Sequence, residues 1–329
     1  MKNNIWSAER ANDWYKTKPW IVGCNFTPST AINQLEMWQK TTFDPETIKR
    51  ELGWAADLGF NSMRVYLHDL IWDDDASGFA DRINRYLDIS SSLGISTMLV
   101  LFDDCWNKEP KLGTQPEPIP GMHNSGWMQS PGEKVVLDSS QWGRLEKYVK
   151  EVLSKFANDE RIIIWDLYNE PGNTEMESKS LPLLKKTFEW AREVDPSQPL
   201  TSGIWLDKLK DLNEFQLNAS DVITFHNYHD SDNLSAQISE LKKYNRPIIC
   251  TEYMARINNC LFQTQMPIFK KENVGCYNWG FVCGKTQTHL PWKELVEKSP
   301  EGLWFHDILH KDGTPYDKKE IEFIKEILN

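Results

Sequence analysis

Two apolar segments of this chain end abruptly in glutamate. The run Ile162-Ile-Ile-Trp-Asp-Leu-Tyr reads as a buried strand, passes into Asn169-Glu170 and is stopped by Pro171. The run Pro247-Ile-Ile-Cys-Thr passes in the same way into Glu252. One glutamate at a strand end is ordinarily a solvated loop residue. Two of them, on strands whose tips can face each other across a closed sheet, are the pair that glycoside hydrolysis needs. One carboxyl must carry a proton for the leaving oxygen. The other must be ionised to attack the anomeric carbon. Once the second is consumed in a glycosyl ester, the first activates water. Two nearby carboxylates also push one pKa upward, which supplies the acid.

The elements that must position this pair repeat along the whole chain. Strand-like runs fall at 20–26, 62–68, 96–102, 162–169, 199–205, 222–228, 247–252 and 276–281, and a helix-like stretch follows each. Asp44 and Pro45 open the first of these helices and Leu58-Gly59 closes it. Ser139 opens another, with Leu145, Tyr148, Val149 and Val152 on one face, and the last is Lys318–Leu328. Eight alternations predict an α/β fold, a single (β/α)8 barrel occupying residues 1–329 as one domain. A doubly wound open sheet is the alternative, and no G-x-G-x-x-G follows any strand to support it. Two connections, 107–138 after strand three and 284–315 after strand eight, are far longer than a typical turn. The first carries His123, Asn124 and Trp127 just beyond Trp106. It is expected to fold over the barrel mouth and build a pocket, making the protein exo-acting or limited to short oligosaccharides.

Composition narrows the partners. A net charge of −11 argues against nucleic acid and anionic membranes. The 15 tryptophans among 329 residues suit either an indole-rich core or sugar faces stacked on rings. The six cysteines are scattered, with no C-x-x-C pair, and read as reduced apolar residues. The first residues show no apolar signal-peptide core, so a cytoplasmic location is expected. No cofactor or metal is expected.

The strand order and a handful of residues resemble the clan of retaining (β/α)8 glycoside hydrolases, with glycoside hydrolase family 5, the cellulase and mannanase family, as the best likeness. The resemblance implies Glu170 as acid/base and Glu252 as nucleophile. It implies that Arg64, in Asn-Ser-Met-Arg-Val-Tyr, supports the carboxylates, and that Asn169 holds the sugar 2-hydroxyl. His226 and Tyr228, in Thr-Phe-His-Asn-Tyr, match the strand-six His-x-Tyr, whose Tyr donates to the nucleophile. Trp279, in Tyr-Asn-Trp-Gly, matches the ring that floors the cleaved sugar's subsite. Taken singly, Arg64 reads as a salt-bridged strand end and His226 and Trp279 as core; their joint occurrence in strand order carries the inference. The two carboxyls should then lie roughly 5–5.5 Å apart, the retaining spacing.

The chain also departs from that family. Where family 5 often has a histidine near the end of strand three, the sequence reads Leu101-Phe-Asp-Asp-Cys-Trp106. Asp103 or Asp104 could bind sugar hydroxyls there, alongside Trp106, with His68 and Asp69 at the end of strand two and Asn25 at the end of strand one. A metal-dependent barrel hydrolase would need several histidine ligands, and strand one offers none. A non-catalytic sugar-binding barrel would ordinarily have lost one carboxylate. A transglycosylase would share every residue named. The expected partner is a β-linked glycoside or oligosaccharide.

Overall fold

A computed structural model describes residues 4–329. Eight parallel strands form one sheet: β1 (Val22–Asn25), β2 (Ser62–Tyr66), β3 (Ser96–Asp103), β4 (Ile162–Asn169), β5 (Leu200–Thr201), β6 (Ile223–His226), β7 (Ile248–Tyr253) and β8 (Gly275–Asn278). Their order is β5-β4-β3-β2-β1-β8-β7-β6, so the first and last strands of the chain pair and the sheet curls on itself. The ring closes between β5 and β6 through a lone bridge at Ile204–Phe225, with Ile204 N–H donating to Thr224 O at 3.0 Å and His226 N–H donating to Ile204 O at 2.9 Å. This is the expected TIM barrel. Strand five is the exception: the predicted run 199–205 forms only two residues of ladder, because Gly203 sits packed against Thr224 and Thr251 and the chain turns away there.

Strand interiors are buried on both faces, as parallel strands covered by helices must be. Met98, Ile164, Val222, Ile249 and Tyr277 fill the barrel floor, and Tyr15, on the helix Ala8–Lys16, closes it from below. The larger apolar layer lies between the strands and the outer helices. The cap read at Asp44 is in place, whereas Ser139 falls inside a turn capped by Asp138. Asp44 accepts from Thr47 N–H and Pro45 begins the helix Pro45–Leu58, which Gly59 ends at φ 94°. The helix Trp142–Phe156 follows a single 3-10 turn, Ser139–Gln141, and buries Leu145, Tyr148, Val149 and Val152. Among the described residues, no helix is long and apolar enough to cross a membrane.

The two long connections join each other above the mouth. Asn124 N–H donates to Thr286 O at 2.8 Å. Gln287 Nε2 donates to Ile119 O at 2.7 Å and Met122 O at 2.9 Å. The His123 ring shares a 2.7 Å hydrogen bond with Leu290 O. These bonds tie the connections after β3 and β8 together, and the cavity extends beyond them toward Trp205 and Tyr244.

Candidate active site

The C-terminal ends of β4, β6, β7 and β8 surround a cavity of about 1330 Å³. That exceeds the usual size of a small-ligand pocket, roughly 300–1,000 Å³, and leaves room for more than one sugar ring. Glu170 and Glu252 both line it, with Asn169, His226, Tyr228, Trp279 and Trp106. One oxygen of each glutamate and one nitrogen of His226 lie within 4.8 Å of one another. So close an approach of single oxygens suits the roughly 5–5.5 Å spacing of a retaining pair better than the roughly 6.5–9.5 Å of an inverting one.

Glu252 is the penultimate residue of β7, and donors approach both of its oxygens. Oε1 accepts from Arg64 Nη1 at 2.9 Å and from the Tyr66 hydroxyl at 2.9 Å. Oε2 accepts from the Tyr228 hydroxyl at 2.7 Å, and His226 Nδ1 stands 3.4 Å away. Arg64 is the centre of this set. It is fully buried, and its planar fork also reaches Asp166 Oδ2 at 2.7 and 3.0 Å, Asn25 Oδ1 at 2.8 Å and Asn169 Oδ1 at 2.7 Å. A buried guanidinium is tolerated only when its donors are matched this completely. Arg64 and Tyr66 are two residues apart on β2, so both point inward.

Glu170 sits one residue beyond β4 with φ 41°, in the left-handed region that non-glycine residues seldom occupy. The turn lifts its carboxyl toward His226, whose Nδ1 is 2.8 Å from Oε1. Oε2 accepts from the Cys105 thiol at 3.2 Å and from the Asn173 amide. Burial pushes the Glu170 carboxyl up, but the hydrogen bond and charge of His226, with the Cys105 and Asn173 donors, outweigh it and hold the group below the usual carboxylate range.

Aromatic rings build the rest of the wall. Trp127 meets Tyr66 edge-on at 5.1 Å and Trp279 at 5.9 Å. Its indole N–H donates to Asp103 Oδ2 at 2.7 Å. Asp103 Oδ1 accepts from Asn169 Nδ2 at 3.0 Å, and burial moves the Asp103 carboxyl up to about 7. The cavity also passes Trp205 and reaches Tyr244.

Five sequence-predicted ligands do not line the cavity: Asp69 pairs with Arg144 and Asp103 is held by Trp127 and Asn169, and His68, Asp104 and Asn25 are also engaged elsewhere. His68 caps the helix Asp69–Ser92 and bonds Gln129 O at 3.0 Å, because the chain enters that helix directly from β2. Asp104 turns outward to accept from the Tyr168 hydroxyl at 2.6 Å, Gly172 N–H at 2.8 Å and Ser180, so it braces the turn after β4. Asn25 lies beneath the site, tying Arg64 to the backbone of Thr251 and Asn278. Sequence reasoning missed Tyr66, Asp166, Cys105 and Asn173. Tyr66 was legible as the inward neighbour of Arg64, and Asp166 as the one acid within an apolar strand. Glu170, His226 and Glu252 could in principle gather round a cation, yet His226 Nδ1 is already engaged by Glu170.

The comparisons with known proteins follow this geometry. A family model described as glycosyl hydrolases family 2, TIM barrel domain, matches residues 126–297. No curated protein matches the chain in sequence. Among solved structures, the exo-β-1,4-mannosidase Op5Man5 from Opitutaceae bacterium strain TAV5 superposes with a TM-score of 0.64 at 17% identity, over 94% of this chain and 59% of that one. The chain thus spans little more than half the length of that mannosidase. A GH5_18 protein from Streptomyces cattleya, in complex with Manβ1-4GlcNAc, gives 0.62 at 12% identity, over 93% of this chain and 80% of that one. The hyperthermostable endo-1,4-β-D-mannanase from Thermotoga petrophila RKU-1 gives 0.58 at 14% identity, over 94% and 99%. At such identities the superpositions speak for the fold, and the family model, which covers just over half of the chain, speaks for kinship. The chain belongs to the TIM-barrel family of the glycosyl hydrolases family 2 model, within the clan of (β/α)8 glycoside hydrolases.

Proposed function

We propose that this barrel hydrolyses short β-linked oligosaccharides of mannose or glucose type from one end, with retention, using Glu252 as nucleophile and Glu170 as acid/base. The observation that carries the mechanism is the approach of the two carboxyls to within 4.8 Å around His226. Arg64, Tyr66 and Tyr228 all donate to Glu252. It attacks the anomeric carbon and forms the glycosyl ester while Glu170 gives its proton to the leaving oxygen. In the free protein the donors His226, Cys105 and Asn173 hold Glu170 low, so the fraction of Glu170 that carries a proton performs this step. Loss of the Glu252 charge in the ester then leaves Glu170 free to take a proton from water.

End-on action is supported by the joined loops. They are tied to each other at one end of the cavity, so a chain entering past Trp205 meets them there. The manno or gluco class is supported by the Manβ1-4GlcNAc and mannosidase neighbours. The deciding experiment is time-resolved product analysis on β-1,4-manno- and gluco-oligosaccharides, with NMR of the first product. Monosaccharide of β configuration from the first minutes is expected. Early mixed oligomers from a soluble polymer would overturn end-on action, and an α-anomer would overturn retention.

A further inference from the structure

Away from the paired carboxylates, three side chains of the connection after β8 converge on one point. Cys283 Sγ lies 3.3 Å from His289 Nδ1, and the same Nδ1 lies 3.8 Å from Asp307 Oδ2. One atom from each of the three lies within 4.8 Å of the other two. Asp307 is fully buried; its Oδ1 accepts from the Thr288 hydroxyl at 2.6 Å, while Oδ2 accepts no hydrogen bond among the described residues. A buried carboxylate oxygen without a partner is costly and calls for a ligand.

A thiol, an imidazole and a carboxylate in contact suggest a nucleophile relay first. The geometry is wrong for one. In a relay the two partners occupy opposite ring nitrogens. Here the thiol and the carboxylate both face Nδ1, which is the convergence of a coordination shell. Zinc bonds of about 2.3 Å to sulfur and about 2.0–2.1 Å to nitrogen and oxygen, at tetrahedral angles, place ligand atoms roughly 3.3–3.6 Å apart. The observed 3.3 and 3.8 Å edges lie within about half an ångström of these values, and the third edge, from Cys283 to Asp307, lies within 4.8 Å.

We propose that Cys283, His289 and Asp307 form a site for one zinc-class divalent cation, with the fourth position left to water. Binding would release the Cys283 proton, since the thiolate is the ligand. The site stands at the neck of the connection. Val282 pairs with Leu309, and Cys283 N–H donates to Leu309 O at 2.8 Å. The cation therefore ties the outgoing strand of the loop, its middle and its return to one another. Between His289 and Asp307 the loop carries Trp292, which meets Tyr228 edge-on at 5.1 Å. The role is a staple that fixes the wall beside the catalytic centre, and no step of the hydrolysis passes through it.

Cobalt titration of chelator-stripped protein tests the site. One equivalent of Co²⁺ should produce the near-ultraviolet thiolate-to-cobalt band and visible bands of tetrahedral intensity, and Zn²⁺ should displace it. The band should vanish in Cys283→Ser and survive in Glu252→Gln, which alters the cluster of Glu170, His226 and Glu252. Zinc should raise the Tm of the unaltered protein and leave that of Cys283→Ser unmoved. Asp307→Asn should weaken cobalt at least tenfold; because Asp307 is buried, the half-exposed Cys283 carries the decision. Cobalt bound without a thiolate band, a band persisting in Cys283→Ser, or no binding at all would each show a plain thiol–imidazole hydrogen bond and sink the proposal.

Discussion

Glu252 is surrounded by donors that are unequal in kind. Arg64 supplies charge, whereas Tyr66 and Tyr228 each supply one hydroxyl, at 2.9 and 2.7 Å. A hydrogen bond to a charged group contributes about 1.5–3 kcal/mol. Tyr66→Phe and Tyr228→Phe should therefore each lower kcat/KM by about 10- to 100-fold with the fold intact, as checked by circular dichroism. Glu252→Ala should lose about four orders of magnitude or more, and azide should restore turnover as the α-glycosyl azide. Glu170 answers to pH. His226 lowers its pKa, so replacing His226 with Asn removes that influence and lets burial raise it. The alkaline limb of the kcat/KM profile should then move to higher pH, and an unmoved limb would refute the hold of His226 on Glu170. At this scale alternation fixes the inward face of Arg64, Asn169 and Glu252 on their strands, although Asn25, also on a strand, lies beneath the cavity. Just past the strand ends two side chains went elsewhere. There His68 and Asp104 were free to turn to a helix end or a neighbouring turn, and no periodicity says which.

Elements hold the site through a few cross-links. Asp69, at the start of the helix Asp69–Ser92, is fully buried and pairs with Arg144 Nη1 at 2.5 Å, on the helix Trp142–Phe156. Its Oδ1 accepts from Ser130, at the end of the connection that walls the mouth. Burial would raise the Asp69 carboxyl, but His68, Arg144 and Ser130 together hold it well below the usual range. A carboxyl depressed in the folded state stabilises above its unfolded pKa, near 3.9, and that stability is lost as pH falls through the folded value. The Tm should accordingly drop steeply below about pH 4. Asp69→Asn should cost about 2 kcal/mol at neutral pH, less than a fully buried pair because Arg144 is partly exposed, and should flatten the acid drop. A Tm–pH series of both proteins checks the sign. Helix caps such as Asp44 were legible because capping is local chemistry. The joining of 107–138 to 284–315 was not, because backbone carbonyls such as Ile119 O and Thr286 O carry no sequence signature.

At the scale of the whole molecule the barrel is a ring with one thin link. Seven neighbouring strand pairs share ladders, while β5 and β6 share none: they are joined by the bridge at Ile204–Phe225 and by the Thr201 hydroxyl on Val222 O and Thr224. Local opening follows the least-bonded seam. The amides of Ile204 and His226 should therefore exchange with deuterium well before those of β3 and β4. Ile204 and Trp205 line one side of the open end of the cavity and His226 and Tyr228 the other, so a bound oligosaccharide bridges the seam. Substrate becomes, in effect, the missing rungs of the ladder. Its arrival should slow the exchange clock of those two amides more than that of any other strand, and deuterium uptake by mass spectrometry can time how long each sugar stays before a sequence of products is known.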